Sequence, residues 1–283
     1  MEQLPGATVN LLKGGVGKST IALNVAERLA NRGHDVVLVD LDDDGHMTMQ
    51  LGYQDAYDRE ADLGGPLLEE SDPADLLVDT EFGFAFLPSN DDLETVEDRL
   101  KSAQWSDIRF RQNVVEPLVE DGYDYVIVDA PGGRGKLSDN ALIALQRVIV
   151  PLIPGAGSIN GLGTTISRQI VPIREQIDLD VLAITPNRLT ETLNQRNEDR
   201  VLVEHINREF PEYTPDYARI PEETFDAMDR NELPSGELPK PGIRKRASIS
   251  KAFKRGQPVA AYDPDCDQLP HFDHLADLVE EAS

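Results

Sequence analysis

The sequence predicts a three-layer α/β fold, a mostly parallel twisted sheet with helices on both faces. Three observations predict it. Short runs that are apolar throughout recur along the chain, helix-period segments lie between them, and the first strand–helix–strand unit closes within some 35 residues. Runs without polar alternation are those of parallel strands buried on both faces, and such strands need helical crossovers.

The elements follow in order. ATVNLL (7–12) and VVLVD (36–40) read as strands. Between them Ser19 to Arg32 reads as a helix, because Ile21, Ala22, Val25, Ala26 and Leu29 keep a 3.6-residue spacing and Gly33 ends it. FGFAFLP (82–88) is a strand, followed by helices from Asp91 and over Asp107–Glu120. YDYVIVD (123–129) and RVIVPLI (147–153) are strands flanking a helix near Ser138–Leu145. A helix near Gly161–Gln176 leads to the strand VLAIT (181–185), then a helix near Glu191–Glu209. Strands are expected near Tyr217–Ile220 and Pro258–Tyr262, before a C-terminal helix.

Two stretches break the alternation. Residues 53–81 hold ten acids and one base and read as solvated helix and loop. NELPSGELPKPG (231–242) holds three Pro and two Gly and reads as a long loop inside one domain spanning 1–283. There is no run of 18 apolar residues, and only about ten residues precede the glycine-rich segment at 13–20, so neither a membrane span nor a signal peptide is expected. One Cys, Cys266, excludes a disulfide framework or a cysteine-built metal centre within one chain. The expected location is the cytoplasm. The chain carries 52 acids and 27 bases, for a net charge of −25. Acids intermixed along the whole length, with few Lys among the bases, resemble proteins of a salty cytoplasm.

KGGVGKST (13–20) follows a buried strand and opens a helix, the context of a phosphate-binding loop. The N–H groups of Gly14, Gly15, Val16, Gly17, Lys18 and Ser19 would converge on phosphate oxygens at a helix N-terminus, with Thr20 next in line. Lys18 would reach the outer phosphates of ATP and the Ser19 hydroxyl would ligate Mg²⁺. The usual pattern needs Gly where Leu12 stands, and a second lysine, Lys13, opens the loop instead. Asp129 closes YDYVIVD, the place of a magnesium-holding acid beside such a loop. VVLVDLDDDGHMT puts Asp40 at a strand's C-terminal end with Asp42 two residues on. One of that pair would order the water around magnesium and the other would position an attacking water. An acidic turn in an acidic chain would read the same.

KGGVGKST, VVLVDLDDDGHMT and YDYVIVDAP, in that order, resemble the deviant Walker A ATPases of the ParA/MinD family, and the short ParA-type partition ATPases most. FAFLPSNDDLETVEDRL, LSDNALIALQRVIVP and SISKAFKRGQPVAAYDP extend the resemblance over nearly the whole chain. The resemblance implies a P-loop NTPase fold, with ATP and Mg²⁺ as cofactors. It implies an ATP-dependent face-to-face homodimer in which Lys13 reaches the other subunit's phosphates, and a weak ATPase stimulated by a partner. By the same carry-over Asp42 positions the attacking water, Asp40 serves the magnesium shell, Asn187 of ITPNR meets adenine, and Pro221 marks a backbone adenine contact. DDDG replaces the family's DPQG, adding Asp43 and Asp44 near the phosphates, and Arg134 and Lys136 after APGG have no family role.

ParA-like members bind DNA without sequence preference and work with a centromere-binding or activator protein; MinD-like members bind membranes through a basic C-terminal helix. Here that helix is LPHFDHLADLVEEAS, whose polar face is acidic, so Leu269, Phe272, Leu275 and Val279 read as core and a membrane is not the expected partner. His271 and His274 read as a surface pair. The basic segment KPGIRKRASISKAFKR (240–255) is +7, against −32 for the rest of the chain. It makes Arg244, Lys245, Arg246, Lys251, Lys254 and Arg255 the candidate DNA contacts, with Arg188, Arg196 and Arg200 secondary. The expected function is plasmid or chromosome partitioning on the nucleoid. A MinD-like regulator of the division site, or an ATPase positioning another cargo, is the alternative.

Overall fold

The apolar runs form one seven-stranded sheet in a computed structural model that describes residues 1, 3–59, 61–69, 71–190, 193 and 197–283. Its strands are β1 (Gly6–Val9), β2 (Val36–Asp40), β3 (Val78–Asp79), β4 (Ala85–Leu87), β5 (Tyr125–Asp129), β6 (Arg147–Leu152) and β7 (Asp180–Pro186). They run in the order β3-β4-β2-β5-β1-β6-β7, with β3 alone antiparallel.

Both faces of the sheet are covered, as unbroken apolar runs require. On β2, Val36 and Leu38 face the helices Lys18–Asn31 and Leu269–Ala282, whereas Val37 and Val39 face Leu93–Ser102 and Lys136–Leu145. The helix Lys18–Asn31 buries Ile21, Ala22, Val25, Ala26 and Leu29, the expected stripe. Leu269, Phe272, Leu275 and Val279 are likewise buried in the core. A third cluster packs β6 and β7 against Glu198–Glu209 and Glu222–Asp229.

Register sets the site. Val9 pairs with Asp129 and Asp40 pairs with Asp129, so β1, β2 and β5 end together. The chain segments leaving these three ends therefore meet at one edge of the sheet, where open α/β sheets bind ligands.

Several expectations are corrected. Residues 217–220 are not a strand: a 3₁₀ turn covers Asp216–Ala218. Pro258–Tyr262 is not a strand either, since Val259–Tyr262 is a turn of helix led by Pro258. Residues 53–81 are not only solvated, because Leu63, Leu67 and Leu76 are buried in the core and β3 lies in this stretch. The helix expected from Gly161 begins at Ala156 and contains a π turn, Ile166–Ile170. Of the helix expected over 191–209, Glu198–Glu209 forms; residues 191, 192 and 194–196 lie outside the described residues. His271 and His274 are not a free surface pair. Both rings pack on the partly buried Tyr217, at 4.6 and 5.4 Å between centroids.

Candidate nucleotide site

The loop leaves β1 and turns into the helix Lys18–Asn31 at Gly17, whose φ is 96°. A side chain is excluded there twice over: the backbone is left-handed, and a Cβ would lie 2.4 Å from Asn187 Nδ2. The chain after β7 grips the loop. Asn187 Nδ2 donates to the Val16 carbonyl at 2.9 Å, and Arg188 Nη1 donates to the Gly15 carbonyl at 2.7 Å. Arg188 has left-handed backbone with φ 57°, and its N–H donates to Asn187 Oδ1 at 2.8 Å. Gly14 and Gly15 stay exposed. Lys18 is buried, its ammonium on the side of Gly132, where an added Cβ would lie 3.4 Å from Nζ.

The three predicted acids differ in what holds them. Asp40 is fully buried, and its carboxylate accepts from the Thr48 N–H at 2.9 Å, the Thr48 hydroxyl at 2.7 Å and the Asp42 N–H at 3.3 Å. Burial outweighs these bonds, and its pKa is pushed up to about 6. Asp129 is also fully buried, yet both carboxylate oxygens lack a hydrogen-bond partner. Burial and the neighbouring Asp40 charge raise its pKa well above the carboxylate range, while Lys18 and Ser19 pull it back. Asp42 is partly exposed; burial raises its pKa and the charge of Lys18 opposes the rise. Asp43 and Asp44 are exposed, and Lys136 is paired with Asp107.

A buried carboxylate with two empty oxygens, beside a serine hydroxyl and a lysine, fits a hard divalent cation. Among the described residues no cluster of three His, Cys, Asp or Glu forms a closed metal cage. An open set of one acid and one hydroxyl suits Mg²⁺, which keeps waters and phosphate oxygens as its other ligands.

Lys13 stands apart from this group. Its side chain lies along the helix Ala156–Thr165, where an added Cβ at Gly157 would be 3.0 Å from Nζ and one at Gly161 would be 3.4 Å from Lys13 Cβ.

A cavity of about 550 Å³ opens beside the loop, lined by Thr20, Asn187 and Arg188 on one side and by Arg244, Lys245 and Lys254 on the other. The backbone joins the two walls: the Leu189 N–H donates to the Ile243 carbonyl, and the Lys245 N–H to the Leu189 carbonyl. Pro221 does not line this cavity; it is exposed at another, with Asn207, Pro211 and Arg219. Ile243 pairs with the end of β7, its N–H donating to the Pro186 carbonyl at 2.9 Å. Of the candidate DNA contacts, Arg244 and Arg246 are tied to Asp267 at 3.1 and 2.6 Å, which holds that acid far below its usual pKa. Lys245, Lys251, Lys254 and Arg255 are exposed, with Arg255 5.1 Å over the Tyr262 ring. Arg200 is buried on Glu204 and Asp229. Arg188 belongs to the loop, and Arg196 lies outside the described residues.

Residues 7–182 match the family model of an AAA domain. The chain is 31% identical over 255 residues to the cell division protein PomZ of Myxococcus xanthus, covering 89% of this chain and 70% of PomZ. It is 39% identical over 140 residues to the chromosome-partitioning ATPase Soj of Thermus thermophilus; that match spans about half of each, 50% and 51%. A solved structure of McdA from Cyanothece in complex with ATP superposes with a TM-score of 0.76 at 20% identity, over 100% of this chain and 97% of that one, and bears out the fold. Among the described residues no helix is long and apolar enough to cross a membrane.

Proposed function

The chain belongs to the AAA-domain family, and from that and its similarity to PomZ and Soj we propose an ATPase of the ParA type, one domain over 1–283, that binds ATP with Mg²⁺, pairs face to face with a second copy and holds DNA in that state. The observation that carries the reading is the division between the two lysines. Lys18 is buried beside the acids, whereas Lys13 lies outside its own phosphate cradle on a helix surface. A lysine so placed serves phosphates that come from elsewhere, as an arginine finger does.

In this reading the loop N–H groups and Lys18 bind the phosphates. Ser19 and Asp129 hold Mg²⁺, which when bound neutralises charge on the outer phosphates. Asp40 accepts three bonds from Thr48 and Asp42, which hold the turn after β2 in place, and its Oδ1, with one long bond, is left to serve the water shell of Mg²⁺. Asp42, partly open to solvent, orients the attacking water. Asn187 and Arg188, with Lys245 across the cavity, bound the space for a base. Lys245, Lys251, Lys254 and Arg255 face DNA phosphates without reading sequence. The work of the switch is partitioning or positioning of DNA or another cargo, on the nucleoid in the cytoplasm, with a centromere-binding or activator protein to stimulate turnover.

The test is dimerisation. Lys13→Ala should keep its affinity for ATP and Mg²⁺ and fail to dimerise, as measured by light scattering with ATP, ADP and no nucleotide. Wild-type dimers in this variant would remove the role of Lys13 on the second copy.

A further inference from the structure

One line of residues on the helix that starts at Ala156 touches the whole segment between β1 and the loop. Gly157 and Gly161 underlie the Lys13 side chain. Thr165 Oγ1 accepts the Leu12 N–H at 3.0 Å and donates to the Gly161 carbonyl at 2.9 Å. Gln169 Oε1 accepts from Asn10 Nδ2 at 3.0 Å, and its Nε2 donates to Ser138 and Asp139 at 2.7 and 2.9 Å. The four positions are spaced by four.

A regular helix turns such a line by about 40° per step, which would carry the fourth contact off the strand end. The π turn Ile166–Ile170 begins just after the third contact, Thr165, and contains the fourth, Gln169, and its wider turn rotates the line back. Gly161 is buried inside the helix, where Gly is a poor helix former and an Ala would ordinarily be better. A Cβ there would only touch Lys13 Cβ and Cδ, at 3.4 and 3.7 Å, whereas one at Gly157 would crowd the ammonium itself at 3.0 Å.

From this we infer that Gly157, Gly161, Thr165 and Gln169 form a four-point register that positions Lys13, fixing where its ammonium stands for a second copy. The inference rests on the reading of Lys13 as acting on that copy. These are positioning residues: each acts through the backbone or side chain of 10–13.

The helix carries its own control. Gly163 is exposed, and an added Cβ there meets nothing within 4 Å. Gly157→Ala and Gly163→Ala both favour the helix, so neither should lower Tm. Only Gly157→Ala, whose Cβ would lie 3.0 Å from Lys13 Nζ, should weaken ATP-dependent dimerisation, by about tenfold, since small misplacements of a positioned group have effects of this size or more. Both should bind ATP–Mg²⁺ as monomers with wild-type affinity. Thr165→Val removes the acceptor for Leu12 and should behave as Gly157→Ala does, while Thr165→Ser restores it. Wild-type or tighter dimers in Gly157→Ala, or equal dimerisation of the two Thr165 variants, overturn the register. If Lys13→Ala itself dimerises normally, the reading beneath the inference fails; if Lys13→Ala fails while Gly157→Ala is normal, only the register does.

Discussion

Asp129 is the residue whose surroundings are least complete. A buried polar group without a partner costs about 1–3 kcal/mol, and more when charged. Asp129→Asn removes the charge without changing the shape, so the nucleotide-free variant should melt at a higher temperature than the wild type. The same variant should lose the Mg²⁺-dependent part of ATP binding, read by calorimetry with and without the metal. Unchanged Mg²⁺ dependence would place the metal elsewhere. Asp42 gives a second expectation at this scale. Asp42→Ala should bind ATP, lower turnover by about 10²-fold or more, and accumulate the ATP dimer. Near-normal turnover would move the role to Asp43 or Asp44, both exposed on the same turn. Lys18, Ser19, Asp129 and Asn187 were legible in the sequence because each sits at a fixed step from a strand end. Arg188 and Thr48 were not, because a hydrogen bond between residues 173 positions apart leaves no local pattern. Arg244 and Arg246 read as free charge for the same reason: their partner, Asp267, is more than twenty positions away.

At the scale of elements, the strands were legible where burial on both faces made the run apolar throughout, as in β1, β2, β5 and β6. The reading failed at 217–220 and 258–262, where two to four apolar residues pack on the core from a turn and from a helical turn. Short runs do not distinguish these states. β3 was missed because its two residues, Val78 and Asp79, add one short antiparallel edge to β4. The C-terminal helix makes a pH prediction. His271 stacks on Tyr217 and is half-buried, with Arg244, Asp267 and His274 around it; burial, then the Arg244 charge, lowers its pKa to about 4. Unfolded histidine titrates near 6.5. Between these values the unfolded chain binds the extra proton, so the histidine's contribution to stability falls as pH drops from about 6.5 to 4. His271→Phe should flatten the fall in urea midpoint over this window relative to the wild type. Parallel pH profiles for the two proteins would mean that the ring titrates normally.

For the molecule as a whole, the net charge of −25 works against DNA, and the five exposed bases of the 240–255 segment must hold phosphates against it. One copy offers one such patch and a dimer two, and linking two weak sites can raise apparent affinity by about 10²–10⁴-fold. DNA titrations with ATP, ADP and no nucleotide should therefore differ by at least tenfold in favour of ATP, be nearly independent of sequence and weaken with salt. Replacing Lys245, Lys251 and Lys254 with Glu should abolish binding and leave ATP affinity intact. Equal affinity in the three nucleotide states would remove the switch, and unchanged affinity in the triple variant would move the patch. The order of the strands has a consequence for how the molecule is made. β1 precedes the other strands of the sheet in synthesis, yet both its neighbours are distant in the chain: Gly6 pairs with Val126, and Thr8 with Val148. At roughly 5–20 residues per second, on the order of ten seconds separates the synthesis of the phosphate loop from that of the strands that fix its position. During that interval the nascent loop has no anchored strand behind it and no Asn187 or Arg188 to grip it. The phosphate loop thus leaves the ribosome ahead of the strands that position it and is among the last segments to acquire its shape, so nucleotide recognition waits until most of the sheet has emerged.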